Sequence, residues 1–225
     1  MQQELLLPED IEDKRQLIIV LEQAPLEIAT IRQQIVLLNA DEHKNYINQT
    51  LNKDYSLYRP DILHHCLLSL MDSPLNKAGK LKIYVRTAQN VILDISPKLK
   101  VPRTYESYAA LFAQALHKLR VRAVESSETL IKVIKNPITD HLPSEALKIG
   151  TSTQAKLIDV KQFIKQPNLN QNKPIVYVIG AVSKGNPGME AQYIDECICI
   201  SQYSLSAGYC LQRISNAYEE LWGIK

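Results

Sequence analysis

PIVYVIGAVSKGNPGMEAQYIDECICISQYSL, running from Pro174 to Leu205, decides how the rest of the chain is read. It opens with PIVYVIGA, an apolar run rich in β-branched residues, which predicts a strand buried on both faces. The run leads directly into a loop that holds Gly180, Gly185 and Gly188, three of only seven glycines in the chain. A second predicted strand, CICIS, follows, and SLSAG then opens a helical pattern. A sequence this sparing of glycine concentrates it where the backbone takes positive φ or approaches another group closely. The stretch reads as the edge of a ligand pocket.

Working outward, strands and helices alternate. Gln16–Leu21 (QLIIVL) predicts a buried first strand, followed by a turn at Ala24-Pro25 and a helix over 26–38. Residues 1–15 read as a loose acidic tail, and 41–53 as loop with a short helix. Tyr58–Pro60 is a rigid turn before a helix with Asp61 at its start and Pro74 just beyond its end. Leu81–Ile95 alternates apolar and polar residues as a β-hairpin does. Thr104 is a predicted N-cap for a helix to Leu119, with Leu111, Phe112, Ala115, Leu116 and Leu119 on its apolar stripe. Short strands are predicted over 129–134 and 147–149, and a short helix over 157–165. The last helix, 206–222, carries Leu211, Ile214, Tyr218 and Leu221 on its buried side and stops at Gly223. This order predicts an α/β fold with a mostly parallel sheet.

Composition narrows the function classes. The 225 residues carry 45% hydrophobic and 22% charged side chains, ordinary values for a globular protein. No apolar run approaches the roughly 20 residues that span a bilayer. The four cysteines lack a regular spacing, so free thiols in a reducing compartment are expected rather than a disulfide framework or a metal set. Net charge is only +2, but between Lys98 and Arg122 six Lys or Arg (98, 100, 103, 118, 120, 122) face the single acid Glu106. A confined basic segment suits an anionic partner. Lys100 and Arg103 precede the predicted cap of the 104–119 helix, where a positive helix end favours phosphate. GAVSKG matches neither a dinucleotide fingerprint nor a Walker loop. In Arg59-Pro60-Asp61, proline fixes the backbone between an arginine and an acid that can hold the guanidinium in one orientation.

Seven strings, RPDILHHCLLSLMDSPLNKAG, VPRTY, LHKLRVRA, LIKVIKNPITDHLP, KIGTS, VIGAVSKG and ISQYSLSAG, occur in the order found in one family. The chain resembles the Nep/Emg family of trefoil-knot (SPOUT) methyltransferases, which act on nitrogen 1 of a pseudouridine in small-subunit ribosomal RNA. The resemblance runs from about Leu17 to the C-terminus. It implies a single SPOUT domain over 16–225 with a hairpin-containing insertion at about 54–100, a C-terminal trefoil knot, a homodimer, and S-adenosyl-L-methionine held by the knot loops. By motif, the cofactor positions are Thr151, Gly180, Gly185, Ile200, Ser201, Gln202, Tyr203, Ser204 and Leu205. Arg59, Lys100 and Arg103 are the implied RNA contacts, and Arg59 with Asp61 forms the implied catalytic pair. A further family arginine aligns with Ser107, and Ser204 stands where relatives often carry proline. The implied partners are a small-subunit ribosomal RNA hairpin and ribosome-assembly proteins, with no membrane. The implied location is the nucleolus in a eukaryote or the cytoplasm in an archaeon. Two other readings remain open from sequence: an RNA-binding assembly factor without catalysis, and a knot methyltransferase acting on another RNA.

Overall fold

The computed structural model describes residues 13–124, 126–169 and 171–225. Most of the expected tail, residues 1–12, lies outside them. Its last three residues are tied down: Asp13 pairs with Arg15 and Lys80, the Lys14 amide donates to Asn172 Oδ1 at 2.8 Å, and Arg15 lies over the Trp222 ring.

The core is an eight-stranded sheet in the order β10-β8-β9-β1-β4-β5-β7-β6. These strands are β1 (Leu17–Ala24), β4 (Leu81–Thr87), β5 (Ile92–Ile95), β6 (Arg120–Arg122), β7 (Thr129–Ile134), β8 (Leu147–Leu157), β9 (Ile175–Gly180) and β10 (Glu196–Cys199). The five strands from β10 to β4 run parallel, and β5, β7 and β6 extend the sheet antiparallel. The mostly parallel α/β sheet expected from the alternation is therefore observed. β1 sits between β9 and β4, which explains its unbroken apolar run. Leu17, Ile19 and Leu21 join one core cluster, and Ile18 and Val20 join another on the opposite face.

The helix expected over 26–38 is instead a hairpin, β2 (Ile28–Ile31) paired with β3 (Gln34–Leu37). Ile28, Thr30, Ile31, Ile35 and Val36 are β-branched, and their stiff χ1 favours a pleated surface over a helix. Arg32 and Gln33 form the two-residue turn, both at positive φ (49° and 66°), without the Asn-Gly signature that usually reveals such a turn.

The helices are α1 (Lys44–Gln49), α2 (Pro60–Met71), α3 (Pro74–Lys77), α4 (Tyr105–Lys118), α5 (Val160–Phe163), α6 (Pro187–Glu190) and α7 (Ala207–Trp222). Pro74 begins α3 rather than merely following α2, with Ser73 Oγ accepting from the Asn76 amide at 3.1 Å. Residues 54–100 supply α2, α3, β4 and β5 to this one sheet and its core. The α7 stripe forms as expected, with Leu211, Ile214 and Tyr218 buried and Gly223 at φ 69° ending the helix.

Thr104 is the N-cap of α4 as expected, with extended backbone, but its hydroxyl donates to Ser107 Oγ at 3.0 Å and makes no capping bond to the backbone. One expectation for α4 is corrected. Leu119 leaves the apolar stripe: it is 58% exposed, at φ 59°, where the chain turns into β6, while Tyr108, Phe112, Ala113 and Ala115 fill the core. An exposed leucine in the left-handed region carries a steric cost that glycine avoids, so Leu119→Gly is expected to raise stability by about 1 kcal/mol. Urea denaturation monitored by circular dichroism checks this, and an unchanged or lower midpoint would contradict it.

Candidate functional site

A cavity of about 230 Å³ opens at the C-terminal ends of β8, β9 and β10. Crevices at this edge of a parallel sheet are where open α/β folds place ligands. The strand expected over 147–149 runs on to Leu157, and this shapes one wall. β10 pairs with β8 at Gly150, then jumps to Lys156 between Cys197 and Ile198, so residues 151–155 bulge and expose Thr151, Ser152 and Thr153 to the cavity. The loop after β9 forms a second wall, with Ser183, Gly185 and Asn186, and the loop after β10 a third. Ala207 and Cys210 of α7 close the remaining side.

Hydrogen bonds hold the walls in place. Ser152 Oγ donates to Asn186 Oδ1 at 3.0 Å, joining the first two loops. The Cys199 thiol donates to Ser201 O, and the Tyr203 amide to Ser201 Oγ, both at 3.0 Å. Glycine contributes in a way that its spacing did not reveal. A Cβ on Gly188 would lie 2.6 Å from Thr151 O and 2.7 Å from Val178 O, and one on Gly150 would overlap Gly188 O. These two glycines let α6 sit directly on β8 and β9. A Cβ on Gly180 would meet the Pro187 ring at 2.8 Å, so its missing side chain makes room for the loop rather than for a ligand. Of these four glycines only Gly185, at φ 94°, is needed for its backbone conformation, and the space beside it is open.

Of the nine positions assigned to the cofactor by motif, Thr151, Gly180, Gly185, Ile200, Ser201, Tyr203, Ser204 and Leu205 line this cavity; Gln202 does not. Sequence reasoning missed Ser152, Asn186, Ile198 and Cys210, which reach the cavity from the β8 bulge, the loop after β9, β10 and α7 respectively. KIGTS carried a signal for the first of these, but nothing local marked Cys210. All four cysteines are free thiols, and burial with Cys210 nearby pushes the Cys66 thiol up to about 12.

Arg59 and Asp61 form a two-pronged pair at the start of α2, with Nε to Oδ1 at 2.8 Å and Nη2 to Oδ2 at 2.7 Å. Burial pulls the Asp61 carboxyl upward, but hydrogen bonds and charge from Arg59 outweigh it and leave the group below its ordinary value. A carboxylate so held is a weak base and a good orienting group. The turn leading to this pair touches the cavity's second loop: Ser183 Oγ donates to Ser56 O at 3.4 Å and Lys184 Nζ to Ser56 Oγ at 3.3 Å, three residues before Arg59.

Lys100 and Arg103 lie farther off. The segment 99–105 runs back along α2, with Pro102 O bonded to His64 Nε2 at 2.7 Å. His64 is buried and stacked on Tyr108, whose hydroxyl donates to Pro60 O. Arg103 turns toward the other end of α2, where it pairs with Asp72 at 2.6 Å. Arg59 and Asp72 flank a helix of 12 residues, about 18 Å long at 1.5 Å per residue. The basic positions therefore form a track along α2 rather than one cluster.

Comparison with known proteins gives this geometry a context. The family model described as EMG1/NEP1 methyltransferase matches residues 19–219. The chain is 39% identical over 216 residues to the Candida albicans ribosomal RNA small subunit methyltransferase NEP1, covering 93% of this chain and 80% of that protein. It is 41% identical over 211 residues to the Homo sapiens ribosomal RNA small subunit methyltransferase NEP1, covering 93% and 83%. The crystal structure of Archaeoglobus fulgidus Nep1 bound to S-adenosylhomocysteine is similar in fold, with a TM-score of 0.74 at 19% identity over 92% of this chain and 99% of that one. Matched across nearly its whole described length, the chain belongs to the EMG1/NEP1 methyltransferase family.

Proposed function

We propose that this protein transfers a methyl group from S-adenosyl-L-methionine to nitrogen 1 of a pseudouridine in a small-subunit ribosomal RNA hairpin, and acts in small-subunit biogenesis. The observation that carries this reading is the chemistry of the cavity. Its lining has hydroxyls (Thr151, Ser152, Thr153, Ser183, Ser201), an amide (Asn186), and apolar side chains (Ile179, Ile198, Ile200, Leu205), with no charged side chain among the described residues. That set suits an uncharged adenosine and lacks the cations a nucleotide polyphosphate needs. S-adenosyl-L-methionine, when bound, supplies an electrophilic methyl. The curated relatives are named as ribosomal RNA methyltransferases, and the fold neighbour carries the demethylated form of the same donor.

The loops after β9 and β10 are proposed as the threads of a trefoil knot, within a single domain over 16–225. Methylation displaces the proton on the acceptor nitrogen, which goes to water in this scheme, and needs that atom held close and in line, so positioning supplies much of the rate. Arg59, fixed by Asp61 beside the second loop, orients the target base. Asp61 is a positioning residue in this scheme, since its lowered pKa makes it a poor proton acceptor. Lys100 and Arg103 bind phosphates along the α2 track, and Ser107 does not replace the charge that relatives carry there. A second copy of the chain fits the apolar residues left outward around the cavity, Leu57, Met189, Tyr203 and Tyr209, all exposed in the single chain. Ribosome-assembly proteins are further partners in this scheme, and the nucleolus is the expected location in a eukaryote.

Labelled S-adenosyl-L-methionine incubated with paired hairpins, one carrying uridine and one pseudouridine at the same position, tests the reading. Label confined to the pseudouridine hairpin is expected. Label on both would indicate a different acceptor, and RNA binding without label would leave an assembly factor.

A further inference from the structure

The basic segment 98–122 is only partly explained by contacts at the α2 track, and the fold shows where the remainder goes. Lys118 ends α4, and Arg120 and Arg122 stand on β6, the edge strand of the antiparallel half. Side chains alternate along a strand. Val121 and Ile131 turn inward and join the core with Phe112 of α4. Arg120, Arg122 and Lys132 therefore point to the opposite face, and all three are exposed. A row crosses that face from Tyr84 through Asp94 and Lys132 to Arg120. Tyr84 is covered by the 138–142 segment, its hydroxyl donating to His141 O at 3.3 Å, and Asp94 is taken by Lys82. Lys132 and Arg120 are left directly opposite each other across the strand pair.

A like-charged pair facing across an antiparallel ladder destabilises it. Neither of these two side chains, nor Arg122, has an ion-pair partner among the described residues. Charged residues do protect sheet edges from pairing, but Lys132 lies on an inner strand, where edge protection gives no reason for it. α4 separates this face from Arg103 by 14 residues, about 21 Å of helix. Two basic areas separated by that length of helix match two places on a hairpin.

We propose that the open face bearing Arg120, Arg122 and Lys132 is a second RNA contact, which grips backbone phosphates of the stem below the target loop. The proposal rests on the RNA-modifying reading above and adds where the rest of the hairpin lies. As a contact to backbone phosphates it is electrostatic and carries no sequence information.

The test uses the full chain and two hairpins with the same loop, one on a short stem and one on a long stem. Dissociation constants are measured over a salt series for the wild type and for Arg120→Gln/Arg122→Gln/Lys132→Gln. On the long stem the triple variant is expected to lower the slope of log K against log salt by about two to three, and to weaken binding roughly tenfold or more at physiological salt. On the short stem it is expected to move neither quantity appreciably. Arg120→Lys/Arg122→Lys, which keeps the charge, should retain the wild-type slope. Lys132→Gln alone, expected to lower the slope by about one, keeps the proposal testable if the triple variant folds poorly. If wild-type protein binds the long stem but the triple variant shows an unchanged slope, the face belongs to another partner, such as an acidic protein segment, and the proposal fails. If the wild type binds neither hairpin, the RNA-modifying reading fails as well, and the two failures are told apart by the wild type alone.

Discussion

Gly150→Ala is expected to lose S-adenosyl-L-methionine binding and much of the protein's stability together. The added methyl would overlap the Gly188 carbonyl oxygen and sit 2.8 Å from Ile194 Cδ1. The isoleucine tip can rotate away, but the carbonyl is main chain and can move only if α6 lifts from β8. Overpacking of this kind costs about 1–3 kcal/mol and more where backbone must shift, which lowers the melting temperature of a domain this size by roughly 5–10 °C. Since α6 continues the second wall of the cavity, affinity for the donor should fall by an order of magnitude or more. Differential scanning fluorimetry with and without the donor reads both effects. The informative control is Gly185→Ala, where a Cβ meets open space and only the positive φ is strained, so it should cost stability while leaving α6 seated. A Gly150→Ala protein with wild-type melting and affinity would show that the close approach of α6 is not needed.

The second large effect concerns Arg59. Arg59→Ala is expected to reduce methyl transfer about 100-fold, the scale on which a misplaced reacting group lowers rate. If Asp61 works through Arg59, Asp61→Asn should lose a similar factor, and the double variant should be no worse than Arg59→Ala alone. If Asp61 instead took the proton itself, its loss would add to that of Arg59 and would remove the acid limb of the pH–rate profile. Single-turnover rates over a pH series for the three variants separate the outcomes.

How much of this could be read from the chain varies from place to place, for physical reasons. Strands β1 and β9 were legible because both are interior to a parallel sheet, and burial on two faces leaves an unbroken apolar run. The β2–β3 hairpin was not, since its turn uses Arg32 and Gln33 in a conformation that sequence assigns to glycine or asparagine. Leu119 was misplaced because helical periodicity says nothing about where a helix ends when no glycine marks the end. Eight of the nine positions named by motif line the cavity, yet the reason for the glycines was not legible. Gly150 and Gly188 fit against each other across 38 positions of sequence, and Gly180 against Pro187, relations that only the folded chain brings together. The Arg59–Asp61 pair was local enough to anticipate, whereas the distance between Arg59 and Arg103 depends on Arg103 reaching for Asp72.

The contacts of Ser183 and Lys184 with Ser56 have a thermodynamic consequence. One short loop forms a wall of the cavity proposed to hold the donor and also rests on the turn that leads to Arg59. Any ordering that the donor imposes on that loop is therefore felt at the arginine, and any ordering of the arginine by RNA is returned to the loop. Binding free energies are reciprocal: the factor by which donor tightens RNA must equal the factor by which RNA tightens donor. The pair of titrations closes a cycle, and Lys184→Ala, which cuts one of its two links, should bring that shared factor nearer to one from both directions.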